Sequence, residues 1–195
     1  AVQRPRFEHP DVKVVVMQSG KDRVFCAGAN IFMILLAAKQ NKFDEVERLL
    51  VELQTTLQRA KYCSAPVITA PFGLTLGGGC EVAMQSSGTQ AAGELYMGLV
   101  EVGVGLLPAG GGCKEVLARY LGDIPAGVEY DPNPFIQQAF KNIALGQVST
   151  SCEEARNMGY LRPSDRVTMD IDALLMDAKK WALGLATSGY TPPQK

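Results

Sequence analysis

Two glutamates beside glycine-rich turns are the residues with the clearest chemical potential in this sequence. Glu81 follows a glycine triplet at 77–79, and Glu101 lies between two valines in a run with little else that is polar. A carboxyl group in apolar surroundings has a raised pKa, which suits it to proton transfer. The pair therefore indicates general acid–base chemistry, although a glutamate in the first turn of a helix is also common for structural reasons.

Backbone amides at two glycine turns are candidates for binding a developing oxyanion. Glycines just before a helix leave N–H groups free at the positive end of the helix dipole. The triplet at 77–79 precedes a predicted helix, and a second turn at 26–30 follows a strand-like segment. If the fold brings the turns together, both donate to one oxygen. From composition alone the alternative stays open that both are tight turns without a chemical role.

Several other classes of function are excluded by the composition. No phosphate-binding P-loop pattern occurs, and the nearest approach to a dinucleotide fingerprint has Pro108 where the third glycine belongs. The 19 basic and 20 acidic residues give a net charge of -1, which argues against nucleic-acid partners. A single histidine, His9, and five cysteines without a C-x-x-C pair argue against a metal site.

Cysteine use and hydropathy indicate where the protein works. Five cysteines, an odd number without paired spacing, are typical of free thiols in a reducing compartment, either the cytosol or an organelle matrix. Of the two, we expect a cytoplasmic protein. The longest apolar run covers residues 31–38, far too short to span a membrane, so we expect no membrane partner. Because the chain begins at Ala1 without methionine, we expect it to be part of a longer polypeptide.

Strand-like and helical segments alternate along the first two-thirds of the chain, which predicts an α/β fold. The predicted strands are residues 14–17, 67–70 and 94–97, and the clearest helix covers residues 43–62. A Gly- and Pro-rich loop at 123–134 is followed only by helical patterns. We therefore predict a core at 1–122, a helical region at 123–187 and a linker or tail at 188–195.

Three ordered motifs resemble signatures of the crotonase (enoyl-CoA hydratase/isomerase) superfamily. The first is VFCAGANI at residues 24–31, and the second joins APVI at 65–68 to GLTLGGGCE at 73–81. The third is YMGLVEVGVGLLP at residues 96–108. The resemblance implies a spiral of β-β-α repeats with a helical C-terminal region. It also implies a homo-oligomer, usually a trimer or a dimer of trimers.

The resemblance also implies an acyl-CoA substrate and assigns roles to residues of this chain. The amides of Ala29 and Gly78 fall on the two donors that hold the thioester oxygen. Glu81 falls on the glutamate that activates water, and Glu101 on the acid that serves C2. The CoA and acyl path falls on a short stretch of the first motif: Ala27, Ala29, Asn30 and Ile31.

With both glutamates present, the expected reaction is hydration of a trans-2-enoyl-CoA to a 3-hydroxyacyl-CoA in fatty-acid β-oxidation. The second and third motifs are most similar to the crotonase portion of fused bacterial 3-hydroxyacyl-CoA dehydrogenase proteins. We therefore expect NAD to bind only in a dehydrogenase portion absent from this chain, and no cofactor to bind here. The family's opening strands and first helix precede its first motif, where only residues 1–11 stand.

Three alternatives remain open at this point. The same glutamates suit an enoyl-CoA isomerase, and DRVFCAGANIF at residues 22–32 resembles benzoyl-CoA-dihydrodiol lyase, a ring-cleaving member of the superfamily. A non-catalytic acyl-CoA-binding fragment of a larger multifunctional protein is the third. The carboxylate pair argues against this last class, because a binding module has no need of two proton-transfer groups.

Overall fold

Short strands and longer helices alternate in the computed structural model, which describes residues 11–122, 124–125 and 127–194. The strands of these residues are β1 (Val15–Met17), β2 (Val24–Cys26), β3 (Val67–Thr69), β4 (Gly73–Leu76), β5 (Gly88–Ala92), β6 (Leu95–Gly98) and β7 (Arg166–Thr168). The α-helices are α1 (Ile31–Lys39), α2 (Phe43–Lys61), α3 (Gly78–Met84), α4 (Gly112–Gly122), α5 (Asn133–Ala144), α6 (Cys152–Asn157) and α7 (Leu174–Thr187). Two 3₁₀ turns cover Glu101–Val104 and Ile171–Ala173.

The strands divide between two parallel sheets. One sheet has the order β1-β3-β5-β7 and the other β2-β4-β6. Neighbouring strands in both sheets run parallel. Successive strands therefore alternate between the sheets, with helices in the connections, and the chain advances as a spiral of β-β-α repeats. This is the α/β architecture that the motifs predict.

Two groups of buried side chains hold the spiral together. Helix α7 covers the four-stranded sheet, where Leu174 and Ala178 pack with Ile68 of β3. A larger cluster joins α3, β6 and α4 through Met84, Met97 and Val116, all fully buried. Helix α3 is therefore surrounded by core, which fixes the direction of the residues it carries.

Most of the predicted elements are confirmed, including the strand at 14–17, the helix at 43–62 and the strand at 67–70. The prediction of helices alone after residue 134 is wrong, because β7 lies there at Arg166–Thr168. Only three residues long, β7 is an extended segment because it pairs with β5, with Gln90 opposite Arg166. A segment this short carries no detectable period in the sequence.

The proposed boundaries at 122 and 187 remain predictions. Residues 1–10, which include His9, lie outside the described residues, as do Asp123, Ala126 and Lys195. In the predicted tail, the hydroxyls of Tyr190 and Ser87 lie 2.9 Å apart, so at least this part contacts the fold. No helix among the described residues is long and apolar enough to cross a membrane.

Candidate active site

Helix α3 positions Glu81 inside the protein. Strand β4 ends at Leu76, and Gly77 turns the chain into α3 with a φ of 54°, a value that favours glycine. The Glu81 side chain is only 2% exposed. Its Oε1 accepts a hydrogen bond of 2.8 Å from the backbone N–H of Gly112, at the start of α4. Glu81 is thus a buried carboxyl group that a distant part of the chain holds through a backbone donor.

Glu101 occupies the first position of the 3₁₀ turn after β6 and is half-buried. Its Oε2 is buried and has no hydrogen-bond partner among the described residues. The other oxygen, Oε1, would lie 3.2 Å from a Cβ added to Gly77. The Glu101 carboxyl group therefore lies directly against the glycine turn before α3. A buried oxygen without a partner is costly, and it is a natural place for a proton.

Both carboxyl groups have a pKa above that of an ordinary glutamate. Burial is the main reason for the raised pKa of Glu81, and the backbone N–H groups of residues 110–112 oppose it in part. Burial also raises the pKa of Glu101, its own backbone N–H lowers it, and the charge of Glu81 raises it again. The groups are therefore close enough to influence each other's protonation.

The two amides predicted as oxyanion donors lie close together. A Cβ added to Gly28 would lie 3.3 Å from the Gly78 nitrogen, and one added to Gly78 would lie 3.8 Å from the Ala29 nitrogen. Because a Cβ lies within about 3 Å of the nitrogen of its own residue, the Ala29 and Gly78 nitrogens are within about 7 Å of each other. This spacing is compatible with two donors to one oxygen.

Parallel strand direction is what assembles these groups. Strands β2, β4 and β6 are neighbours in one parallel sheet, and each is followed directly by part of the site. The turn with Ala29 follows β2, the turn with Gly78 follows β4, and Glu101 follows β6. Because the carboxyl ends of parallel strands meet at one edge, residues far apart in sequence converge there.

The residues predicted to line the CoA and acyl path lie on the surface next to this edge. Ala27, Ala29 and Asn30 are exposed, and Ile31 is 46% exposed at the start of α1. The Asn30 side chain caps that helix by accepting a hydrogen bond of 3.1 Å from the Phe32 N–H. Asn30 therefore has a structural role, and its predicted contact with substrate remains a prediction.

The turn at 108–112 is the part of the site that the sequence did not reveal. It holds Glu81 through Gly112, and two glutamine side chains, Gln54 and Gln85, donate to its carbonyl groups. One signal was present, since a glycine triplet at 110–112 precedes a helix just as the triplet at 77–79 does. Nothing in the sequence, however, indicates which carboxylate such a turn would contact.

A cleft of about 1050 Å³ lies elsewhere, at the amino-terminal ends of the same strands. Arg23, Gly73 and Tyr96 are among its lining residues, whereas Glu81 and Glu101 are not. The described residues contain no cluster of His, Cys, Asp and Glu able to hold a metal ion. Glu81 and Glu101 therefore lie near the carboxyl-terminal edge of the three-stranded sheet, apart from this cleft.

Comparison with known proteins places this arrangement in a family. The family described as enoyl-CoA hydratase/isomerase matches residues 6–127, which include both glutamates and both glycine turns. The chain belongs to the enoyl-CoA hydratase/isomerase family. The match extends beyond local motifs, because the crystal structure of an enoyl-CoA hydratase from Bacillus anthracis superposes with a TM-score of 0.73 at 25% identity. That superposition covers 95% of this chain and 63% of the solved one, and it confirms the crotonase fold.

Curated members of the family include much longer proteins. A probable 3-hydroxyacyl-CoA dehydrogenase of Bacillus subtilis (strain 168) is 43% identical over 182 residues, which cover 93% of this chain and 22% of that protein. Benzoyl-CoA-dihydrodiol lyase of Aromatoleum evansii is 42% identical over 89 residues, 43% of this chain and 15% of the lyase. The chain thus spans less than a quarter of the length of either curated relative.

Proposed function

We propose that this chain hydrates trans-2-enoyl-CoA thioesters to 3-hydroxyacyl-CoA in fatty-acid β-oxidation. The observation that carries the proposal is the convergence of two carboxyl groups of raised pKa, Glu81 and Glu101, with the paired amides of Ala29 and Gly78. Hydration requires a base for water, an acid for C2 and donors for the thioester oxygen. The carboxyl-terminal edge of the β2-β4-β6 sheet holds candidates for the base, the acid and the oxyanion donors.

The surroundings of the two carboxyl groups support different protonation states. Glu81 accepts a well-formed hydrogen bond from the Gly112 N–H, which stabilises its charged form. Glu101 has a buried oxygen without a described partner, and a negative charge on Glu81 disfavours a second one beside it. We therefore assign the resting state as ionised Glu81 and protonated Glu101.

In the proposed reaction, Glu81 removes a proton from water as the water oxygen bonds to C3. The C2–C3 double bond shifts its electrons toward the thioester oxygen, and C2 then takes the proton of Glu101. The net change in the enzyme is one proton moved from Glu101 to Glu81, and proton exchange between the two groups restores the resting state. Burial raises the pKa of both carboxyl groups, which makes each a better proton acceptor in its charged form than an ordinary glutamate.

The oxyanion formed on the thioester is the charge that the Ala29 and Gly78 amides would stabilise. Gly78 is the first residue of α3, so its N–H has no partner within the helix. Donors that are already oriented toward developing charge contribute most when they need no rearrangement. Ala27, Asn30 and Ile31 would then contact the CoA and acyl portions beside this site.

The direct test is loss of the enoyl-thioester absorbance when crotonyl-CoA is added to the full-length protein. We expect turnover in the wild type and loss of turnover in both Glu81→Gln and Glu101→Gln. Turnover that survives in either variant would contradict the assignment of these residues. Binding of acyl-CoA without turnover in the wild type would favour the non-catalytic binding module.

Ring cleavage is the second candidate reaction, and the similarity to benzoyl-CoA-dihydrodiol lyase is the observation that favours it. In this chain Glu81 and Glu101 would supply the proton transfers for that reaction as well. Parallel assays with crotonyl-CoA, a 3-enoyl-CoA and the dihydrodiol of benzoyl-CoA separate hydratase, isomerase and lyase. Preference for either of the last two would replace hydration as the reaction of this site.

The similarity to the Bacillus subtilis 3-hydroxyacyl-CoA dehydrogenase supports a place for this chain within a larger multifunctional protein. We assign the chain to a cytoplasmic multifunctional protein that assembles as a trimer or dimer of trimers, with NAD bound outside these residues. The described chain supplies no dinucleotide fingerprint, since Pro108 interrupts the nearest pattern. Calorimetry with this chain should show no NAD binding, and micromolar affinity would refute the assignment. Sedimentation of the full-length protein tests the trimer.

A further inference from the structure

The turn at 108–112 has few conformational restraints of its own, yet its last residue, Gly112, donates the hydrogen bond to Glu81. It contains three consecutive glycines, and Gly111 has a φ of +124°. Glycine-rich backbone has many accessible conformations, so a single orientation is entropically costly unless something else holds it. The Gly112 N–H nevertheless meets Glu81 Oε1 at 2.8 Å, so other contacts must fix the turn.

The glycines at 110 and 111 cannot be replaced by residues with a side chain without a clash, because the Glu81 carboxylate and the Gln85 side chain occupy the space. A Cβ added to Gly110 would collide with Glu81 Oε2. A Cβ added to Gly111 would lie 2.9 Å from Gln85 Nε2. Only glycine allows the backbone of the turn to come this close to Glu81 and Gln85. Because glycine does not restrict the backbone, neighbouring side chains must fix the orientation of the turn.

Two glutamine side chains supply the missing constraint. Gln85 is the C-cap residue of α3, four positions after Glu81; it is 1% exposed and donates a hydrogen bond of 2.9 Å to the Gly110 carbonyl. Gln54, on α2, donates one of 2.7 Å to the Ala109 carbonyl. Two consecutive carbonyl groups are thus held by side-chain amides from α2 and from the C-cap of α3.

We propose that Gln85 and Gln54 are positioning residues, which hold the 108–112 turn so that the Gly112 N–H stays on the Glu81 carboxylate. The proposal rests on the proposed function only in taking Glu81 as the base for water. Gln85, which is buried at the C-terminal end of the helix that carries Glu81, should have the larger effect. Gln54, which is exposed, should have the smaller one.

Loss of the Gly112 hydrogen bond removes a stabilising donor from the charged form of Glu81, so its pKa rises further. The titratable groups that interact with this carboxyl group are unchanged in the variants below. They are Glu101 after β6, Cys80 on α3 and Cys113 on α4. Strand β2 contributes only Cys26, and β4 and β5 contain no titratable residue.

The test compares Gln85→Met and Gln54→Met with a matched control, Gln90→Met, in the full-length protein. Methionine keeps the length of glutamine and removes the donor. Gln90 is also buried and donates one hydrogen bond of 2.8 Å, to Thr168, away from the site. Infrared difference spectra against pH report the protonation of Glu81, whose carboxyl band is assigned by its absence in Glu81→Gln.

We expect Glu81 to titrate at a higher pH in Gln85→Met, at a slightly higher pH in Gln54→Met, and at the wild-type pH in Gln90→Met. The acidic limb of kcat for crotonyl-CoA should move in the same direction, with KM unchanged. A folded Gln85→Met protein with a wild-type titration of Glu81 would overturn the proposal. If Gln85→Met does not fold, the exposed Gln54 variant decides: an upward shift supports the proposal, and no shift overturns it.

The experiment can refute the hydratase function and the positioning role of the two glutamines independently. A wild type that hydrates no enoyl-CoA refutes the proposed function, while the infrared titration still measures the hold of the glutamines on Glu81. If the wild type hydrates crotonyl-CoA and Glu81 titrates at the wild-type pH in a folded Gln85→Met variant, the positioning role alone is refuted.

Discussion

The two turns that supply the candidate oxyanion donors belong to regions of opposite character. The segment from Ala65 to Leu99 carries Gly78 and Glu81, and nearly all of its residues are buried or half-buried. The segment from Ala27 to Leu53 carries Ala29, and helix α1 within it has no buried residue. Phe32, at 67% exposure, shows how open this apolar helix is.

The difference separates two demands on a site of this kind. Proton transfer needs carboxyl groups held in fixed positions, and a packed core restricts side chains to single orientations. Binding a long, flexible thioester needs apolar surface that remains accessible. The buried segment with Glu101 directly after it therefore suits the chemistry, and the exposed segment suits substrate contact. Changes in the first should lower kcat, and changes in the second should raise KM.

The largest effect is expected on the buried side of the site. Glu101→Gln keeps the volume of the side chain but cannot release a proton, so kcat for crotonyl-CoA should fall by about 10²–10⁴-fold. Acyl-CoA binding, measured by calorimetry, should be largely retained because the backbone donors are untouched. Glu81→Gln should behave alike, and the double variant should lose less than the product of the two. A kcat within about twofold of wild type, as for an ordinary surface residue, would end the acid–base assignment.

Removal of a backbone donor should have the next largest effect. Gly78→Pro deletes one N–H at the first position of α3, where proline is well tolerated, and should lower kcat by about 10²–10³-fold. Gly78→Ala is the matched control, because it keeps the N–H and its Cβ makes only ordinary contacts, the nearest at 3.6 Å. Equal activity of the two variants would exclude Gly78 as an oxyanion donor.

Stability measurements sharpen the contrast in burial. Met97→Ala truncates a fully buried side chain between α3 and α4 and should lower the free energy of unfolding by about 2–5 kcal/mol. Phe32→Ala on exposed α1 should change it by less than about 0.5 kcal/mol. Urea denaturation followed by circular dichroism gives both values. A large loss for Phe32→Ala would mean that α1 is packed in solution.

The smallest effect should come from the cap of α1. Asn30→Ala removes the acceptor for the Phe32 N–H, which costs about 1 kcal/mol of local helix stability. Because the helix borders the proposed acyl path, KM should rise modestly while kcat stays unchanged. Asn30→Asp, which keeps the cap, should resemble the wild type. A fall in kcat for Asn30→Ala would indicate that Asn30 contributes to the chemical step, which would contradict a role of the exposed segment in substrate contact alone.

Local pattern was sufficient for elements with a strong period or a strong motif. The apolar spacing of α2 and the β-branched run of β3 were recognisable, and the three motifs identified the family. Strand β7 was missed because its three residues become a strand only by pairing with β5. Sequence patterns report on neighbours along the chain, whereas short strands depend on neighbours in space.

The sequence by itself determined which groups were available for chemistry: Glu81, Glu101 and the two glycine turns. Only the tertiary structure decided their surroundings. Burial and the Gly112 N–H set the pKa of Glu81, and both come from parts of the chain remote from it. Parallel strands then bring Ala29, Gly78 and Glu101 to one sheet edge. Residue types and their order are local information, but the pKa of a carboxyl group and the distance between two amides depend on what the fold packs around them.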